Sequence, residues 1–363
     1  MVVDDSAVVR TMICDTIARA PDMQVVGTAA DGREALKVFA SAHPDVVTLD
    51  IQMPLMDGLE ALDSMLAIRP VPVIMVSGLT QLGAAITLEA LDRGAIEYLA
   101  KPERGSETEA VLCDELIRKI HCVAGVDVRR ILRIRQDRRR RLRPLFEKRH
   151  VPKTVATSCP AEYLDKCMAI GISTGGPPAL ARLFESLAPP MPPIVVVQHM
   201  PPHFIKPLAA RLDLLSKLSV KEAAHGDTLR PNHVLIAPGA KHLRLRDCDG
   251  QPKVFIRDGD VVKGHKPSID VMMKSAADVF PGRCLGVIMT GMGADGVDGC
   301  GAIRATGGYV LGQDEASSDL YGMNKVAHQQ GNVDQQFSLN DASRVITRQL
   351  QLLWSPRLLT VGH

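Results

Sequence analysis

The feature that most limits what this chain can become is a rhythm. Short apolar runs, each ending in a polar residue, alternate with longer amphipathic stretches. Over the first 122 residues the segments 1–3, 24–27, 46–49, 73–76 and 96–99 read as strands, and 7–20, 32–42, 58–68, 84–93 and 109–122 read as helices. Strands that alternate with helices are joined by crossovers, which set neighbouring strands parallel and cover the sheet with helices. A doubly wound α/β sheet follows for this half. The rhythm resumes at Cys167, and 363 residues are too many for one compact core, so two such domains are expected. In sheets of this kind chemistry collects beyond the carboxyl ends of the strands.

The residues at those ends are specific. Strand one ends in Asp4-Asp5, and strand three in Asp50, followed by Ile51-Gln52-Met53-Pro54. Strand four ends in Ser77, and strand five leads into Lys101-Pro102. Three carboxylates in one crevice repel one another and call for a cation, and hard oxygen ligands suit Mg²⁺. A carboxylate beside Mg²⁺ can attack a phosphoryl group, while a lysine and a hydroxyl hold the phosphoryl oxygens. The plainer reading of Asp4 and Asp5 is as acids ahead of a helix capped by Ser6. The right residue type at four strand ends in order favours the site.

In the second half, the strand 168–172 runs into Ser173-Thr174-Gly175-Gly176, and Pro177-Pro178 open a helix. Gly171-Ile172-Ser173-Thr174-Gly175 is G-x-S-x-G in the strand-to-helix context of a nucleophile elbow. No lysine follows the glycines, which speaks against a phosphate loop. The motif alone is a common accident, so the serine needs a base and the base an orienting acid. The strand 194–197 ends in Gln198-His199, and 286–289 ends in a glycine-rich tip carrying Asp295. His203, His225, His233, His242 and His265 are rivals for the base, and Asp298 for the acid. His199 is preferred because it ends a strongly apolar strand, and Asp295 because the 293–296 turn presents it.

The stretches VVDDS, VVTLDIQMPLMDG, VIMVSG and GAIEYLAKP make residues 1–122 similar to a response-regulator receiver domain, with its flavodoxin-like sheet. The resemblance implies Asp50 as phosphoacceptor and Asp4, Asp5, Asp50 and the Gln52 carbonyl as Mg²⁺ ligands. It also implies Ser77 and Tyr98 as switch residues and Lys101 as the phosphate contact. Receivers usually carry more residues before the acidic pair, so either the start is truncated or mis-assigned, or strand one is frayed. AIGISTGGPPAL, VVVQHMPPHF, HVLIAPGAKH, HKPSIDVM, GVIMTGMGADG and LGQDEASS with YGMNKVA make 166–350 resemble the catalytic domain of the chemotaxis protein-glutamate methylesterases, the CheB family. That domain is expected to be α/β with a mainly parallel sheet. The resemblance implies Ser173 as nucleophile, His199 as base, Asp295 as its partner, and Thr174 and Met292 in the oxyanion region. Asn324 stands where the family usually has proline, a change expected to affect loop stiffness.

The function implied is removal of glutamyl methyl esters from chemoreceptors, with deamidation of receptor glutamines. Phosphorylation by a chemotaxis histidine kinase would move the receiver off the esterase site. Mg²⁺ serves phosphorylation, and ester hydrolysis needs no cofactor. Between the domains, 123–165 is expected to be a basic linker, and 351–363 a tail. The run 129–149 holds eleven Lys and Arg against Asp137 and Glu147, a local charge of +9. Such a run suggests nucleic acid or an anionic membrane surface, yet no groove-reading motif surrounds it and a solvated linker is the plainer reading. Aromatic content of 3% also speaks against a nucleic-acid stacking platform. No apolar run approaches a membrane span and the start does not resemble a signal peptide. The eight cysteines form no C-x-x-C, consistent with reduced thiols in the cytoplasm.

Overall fold

The computed structural model describes residues 1–78, 80–101, 109–133, 135 and 163–354. Most of the basic run, Pro102 and the tail beyond Trp354 lie outside the described residues. The chain divides into two compact units, Met1–Arg149 and His150–His363.

In the first unit β1 (Val2–Val3), β2 (Thr28–Ala29), β3 (Val47–Asp50), β4 (Val73–Ser77) and β5 (Glu97–Ala100) form one parallel sheet in the order β2-β1-β3-β4-β5. The helices are α1 (Ala7–Ala18), α2 (Gly32–Ala42), α3 (Gly58–Ile68), α4 (Gln81–Arg93) and α5 (Glu109–Ala124). Ser6, Asp31, Asp57 and Thr80 cap the first four, each side chain accepting an otherwise orphaned amide of the first turn. The strand order reverses between β1 and β3, so Asp4 and Asp50 flank the switch point where such sheets bind ligands. Gly58 lets α3 start hard against that point: a Cβ there would lie 2.1 Å from the Asp50 carbonyl oxygen.

Three expectations need adjusting. Strand two is Thr28–Ala29, not 24–27. Val2 pairs with Thr28 and Val3 with Ala29, so in that register 24–26 would lie opposite positions ahead of Met1. Strand one is not frayed: Val2 and Val3 are fully buried and paired on both sides, and the Met1 amine donates to Val46 O at 3.0 Å. The chain also stays on the first unit beyond 122. Val123, Val128 and Ile131 are buried, and the Arg135 guanidinium donates to the carbonyls of Leu91 and Ala95. The apolar spacing of Val128 and Ile131 is that of one helix face.

The second unit carries seven parallel strands: β6 (Cys167–Ile172), β7 (Ile194–Gln198), β8 (Ser219–Glu222), β9 (His233–Ile236), β12 (Cys284–Ile288), β13 (Tyr309–Gln313) and β14 (Gln335–Phe337). Their order is β14-β13-β12-β6-β7-β9-β8. An antiparallel hairpin, β10 (His242–Cys248) and β11 (Gln251–Arg257), stands apart from this sheet. The helices are α6 (Gly176–Ser186), α7 (Pro202–Leu215), α8 (Ile269–Val279), α9 (Val297–Ala305), α10 (Met323–Gln329) and α11 (Ala342–Trp354). One buried cluster joins Val195, Val197, Met272, Met273, Ala276 and Ile288 to Leu243, Leu245 and Val254 of the hairpin. β6 opens the domain and takes β7 on one side and β12 on the other, so the carboxyl ends of these three neighbours form one rim. No helix among the described residues is long and apolar enough to cross a membrane.

Candidate active site and acidic pocket

Ser173 leaves β6 at the centre of that rim. Its N–H donates to Thr290 O at 3.0 Å, and its carbonyl accepts from Gly176 N at 2.8 Å, closing a tight turn into α6. Gly175, at φ 75°, is the N-cap of that helix in the left-handed region. His199 follows β7 directly, and its N–H donates to Ile172 O at 3.1 Å. The buried Gln198 clamps the two strand ends together, its Nε2 donating to Ser173 O at 2.9 Å and His199 O at 3.1 Å.

The side chains meet in sequence. His199 Nδ1 lies 3.1 Å from Ser173 Oγ, and His199 Nε2 lies 2.9 Å from Asp295 Oδ2. A carboxylate only accepts, so Nε2 carries the proton and the Nδ1 lone pair faces the serine hydroxyl. Asp295 is fully buried at the N-terminus of α8. Its Oδ1 accepts from Ser268 Oγ at 2.8 Å, Asp270 N at 3.1 Å and Gly296 N at 3.1 Å, and its Oδ2 from Ile269 N at 2.7 Å. Burial pushes this carboxyl up, but His199 and the helix amides outweigh it and lower the pKa to about 2. Asp295 therefore stays charged wherever the imidazole has to be oriented.

The sequence-predicted residues fall into clear places. Ser173, His199 and Asp295 come together. Asp298 does not, since it pairs with Lys263 at 3.0 Å and Lys274 at 3.5 Å. His203 and His225 are exposed, and His233 bonds Pro231 O at 2.8 Å. His242 stands behind the relay: its Nδ1 accepts from Ser268 N at 3.2 Å and its Nε2 donates to Asp260 O at 2.9 Å. Thr174 is held by its carbonyl, which accepts from Thr290 Oγ1 at 3.0 Å. Met292 follows Gly291, whose backbone touches the serine: a Cβ at 291 would lie 2.6 Å from Ser173 Cβ. Among the described residues the Met292 N–H donates to no acceptor. Asn324 is buried in the first turn of α10 and donates to Gln313 O and Ser318 Oγ, both at 2.8 Å. Gln313 Oε1 in turn accepts from Thr290 N at 2.9 Å, so this side chain tethers the loop behind the serine.

Sequence reasoning missed three neighbours. His265, set aside as a rival base, stacks on His199 with ring centroids 3.8 Å apart and planes at 6°. Ser268 both caps α8 and holds Asp295. Gln198 is the clamp. A polar residue ending an apolar strand and a serine ahead of an amphipathic run were the signals for the last two.

In the first unit, carboxylate oxygens of Asp4, Asp5 and Asp50 lie within 4.8 Å of one another. Lys101 Nζ lies between two of them, 2.9 Å from Asp4 Oδ2 and 2.8 Å from Asp50 Oδ2. Burial raises the Asp50 pKa to about 6, with Asp4 adding to the rise and Lys101 and the Gln52 amide opposing it. Three hard carboxylate oxygens gathered this closely fit a divalent cation of the Mg²⁺ type. Gln52 N–H donates to Asp50 Oδ1 at 3.4 Å. Arg10 Nη1 donates to the Asp4 and Asp5 carbonyls at 2.6 and 3.2 Å and so fixes the acidic loop. Ser77 is buried at the end of β4, with Oγ donating to Gly78 O at 3.3 Å. Tyr98 is buried in β5 with Lys119 Nζ 4.5 Å from its ring centroid.

An acid-lined parallel sheet, followed by a second sheet that gathers serine, histidine and aspartate at one rim, defines the class as a receiver-linked α/β hydrolase. Residues 1–112 match the family described as response regulator receiver domain, and 168–346 the family described as CheB methylesterase. A protein-glutamate methylesterase/protein-glutamine glutaminase of Pectobacterium atrosepticum is 38% identical over 96% of this chain and 95% of its own length. One of the same description from Pyrococcus abyssi is 40% identical over 97% and 94%. The CheB methylesterase catalytic domain of Thermotoga maritima superposes with a TM-score of 0.50 at 37% identity, covering 51% of this chain and 98% of that domain. The chain belongs to the protein-glutamate methylesterase/protein-glutamine glutaminase family of enzymes, in the form that carries a receiver domain.

Proposed function

We propose that this chain is a phosphorylation-activated hydrolase that removes methyl esters from glutamate side chains of chemoreceptors and deamidates receptor glutamines, working in the cytoplasm. The observation that carries the reading is the continuous relay Ser173 Oγ, His199 Nδ1, His199 Nε2, Asp295 Oδ2 at 3.1 and 2.9 Å. In this reading His199 Nδ1 takes the Ser173 proton as Oγ bonds to the ester carbonyl carbon. The imidazolium is stabilised by Asp295 through Nε2–H. The oxyanion is met by the Met292 amide and the turn at Thr174. Nδ1–H then protonates the leaving methoxide, or the leaving NH₂ group of a glutamine, and the C–O or C–N bond breaks to release methanol or ammonia. Water, deprotonated by the same nitrogen, adds to the acyl carbon; the C–Oγ bond breaks and Nδ1–H returns the proton to Ser173 Oγ, releasing the new glutamate.

Control falls to the acidic pocket. Asp50 takes a phosphoryl group from a chemotaxis histidine kinase. Lys101, already bonded to Asp50, is set to follow the new phosphoryl oxygens. Asp4, Asp5, Asp50 and the Gln52 carbonyl would hold Mg²⁺, whose chemistry there is to offset phosphoryl charge. Ser77 and Tyr98 would carry the change onward.

The test is methanol release from methylated receptor membranes, with and without a small phosphodonor and Mg²⁺. Release that Ser173→Ala abolishes, and that the phosphodonor raises only when Asp50 is present, is expected. No release from the intact chain with phosphodonor would refute the substrate assignment.

A further inference from the structure

The hairpin β10–β11 presents two unlike faces. Leu243, Leu245 and Val254 are buried against the core. The opposite face pairs His242 with Arg257, Arg244 with Phe255 and Arg246 with Lys253 across the ladder. It therefore carries three arginines and a lysine around one aromatic ring. Arg244, Arg246 and Arg257 are exposed. Among the described residues none of the four cations makes an ion pair. Lys266 pairs with Asp258 at 2.8 Å and Lys221 with Asp227 at 2.7 Å, while Asp247 alternates onto the other side of β10 and Asp249 sits in the turn beyond it. Arg246 lies over the Phe255 ring, 5.1 Å from its centroid, a cation–π contact that anchors its guanidinium on this face.

This face begins at the relay. His242 accepts from Ser268 N, and Ser268 Oγ donates to Asp295. From His242 to Arg246 the strip runs about 14 Å away from the site at the usual rise of a strand. Four unmatched cations on so small a face, in a protein whose net charge is only +2, form a local positive field. The reaction makes carboxylates, so the segment it acts on becomes more acidic with each turnover.

We propose that the outer face of β10–β11 is the substrate-docking surface, and that its occupant is an acidic segment of the receptor flanking the glutamyl ester. The inference rests on the esterase reading above and adds which surface selects the substrate. Charge complementarity fixes the occupant: a carboxylate-rich chain is matched by the forked guanidinium groups of Arg244, Arg246 and Arg257. Rim charges of this kind set encounter and salt dependence more than the chemical step.

The experiment uses the full chain, activated by a small phosphodonor, on methylated receptor in vesicles of zwitterionic lipid and in vesicles containing anionic lipid. Arg244→Glu, Arg257→Glu and their combination are compared with Lys217→Glu, an exposed reversal off the hairpin. The combined variant is expected to raise KM for receptor about tenfold or more in both lipids, with a smaller change in kcat, and to flatten the salt dependence of kcat/KM. Lys217→Glu is expected to stay within about twofold. An active wild type with unchanged KM in the reversals overturns the docking proposal and leaves the esterase reading standing. An effect seen only with anionic lipid means that the strip reads the membrane and also overturns it. An inactive wild type refutes the esterase reading, and the docking proposal with it.

Discussion

Asp295→Asn is the substitution whose consequence the geometry fixes most tightly. The carboxylate accepts five hydrogen bonds, from Ser268 Oγ, Ile269 N, Asp270 N, Gly296 N and His199 Nε2. An amide has one oxygen. Placed at the Oδ1 position, that oxygen keeps Ser268, Asp270 and Gly296. The NH₂ then faces the Ile269 N–H across the 2.7 Å now spanned by a hydrogen bond, donor against donor. It also donates toward Nε2, which must give up its proton. The proton moves to Nδ1, the atom facing Ser173 Oγ, and the base is lost. The reversed placement sets two backbone amides and the Ser268 hydroxyl against NH₂ and is worse. A wrong tautomer in a relay of this type costs about 10⁴ in rate, or about 5 kcal/mol of transition-state stabilisation. The opposed donors add about 1–3 kcal/mol of lost stability. Asp295→Ala leaves room for water and a free choice of tautomer, so the isosteric Asn is expected to be at least as damaging as Ala. Single-turnover methanol release by both variants is the assay, with folding checked by circular dichroism. An Asn variant within about tenfold of wild type, or clearly faster than Ala, would refute the tautomer argument.

Three other outcomes are expected. His265→Ala should lower kcat by about tenfold by freeing the His199 ring, and His265→Phe, which restores a stacked ring, should recover most of it. Gly291→Ala should cost about 10²-fold or more in kcat, because the new methyl meets both Ser173 Cβ and Met323 Cε at 2.6 Å, with a stability loss of about 1–3 kcal/mol in chemical denaturation. In metal-free buffer Asp50 is raised to about 6, so the folded receiver binds this proton more tightly than the unfolded chain does. Its stability should therefore fall by about 3 kcal/mol as pH rises from about 4 to about 6, a loss absent in Asp50→Asn and offset by Mg²⁺ only when Asp50 is present. Amide hydrogen exchange of the first unit in the intact chain measures it.

The legible parts of this molecule are those written locally. A strand end, the acid or serine that follows it and the helix cap beyond lie within a few residues, which is why Asp50, Ser77, Ser173 and His199 could be located from sequence patterning. Register is not local. Strand two was misplaced by four residues because its limits are set by where β1 begins to pair, not by its own apolar content. The segment after 122 was read by its charge as free chain. Yet Val123, Val128 and Ile131 are buried, and one of its arginines serves as a hydrogen-bond donor to two carbonyls rather than as a surface charge.

The roles of His265, Ser268 and Gln198 were not legible for a related reason. Each acts on a residue brought near by a different element, and Ser268 is 27 residues from the carboxylate it holds. Their joint effect ties catalysis to folding. Asp295 completes the N-terminus of α8, taking amides that Ser268 alone could not satisfy, and with the same two oxygens it fixes the tautomer of His199. His199 does most to lower its pKa to about 2, and the α8 amides of Ile269 and Asp270 add to it. Ionisation of Asp295 therefore contributes about 2 kcal/mol to stability above its unfolded pKa near 4, a contribution lost as pH falls toward 2. Acid should loosen the cap of α8 and disorient the imidazole together, because one charge serves both.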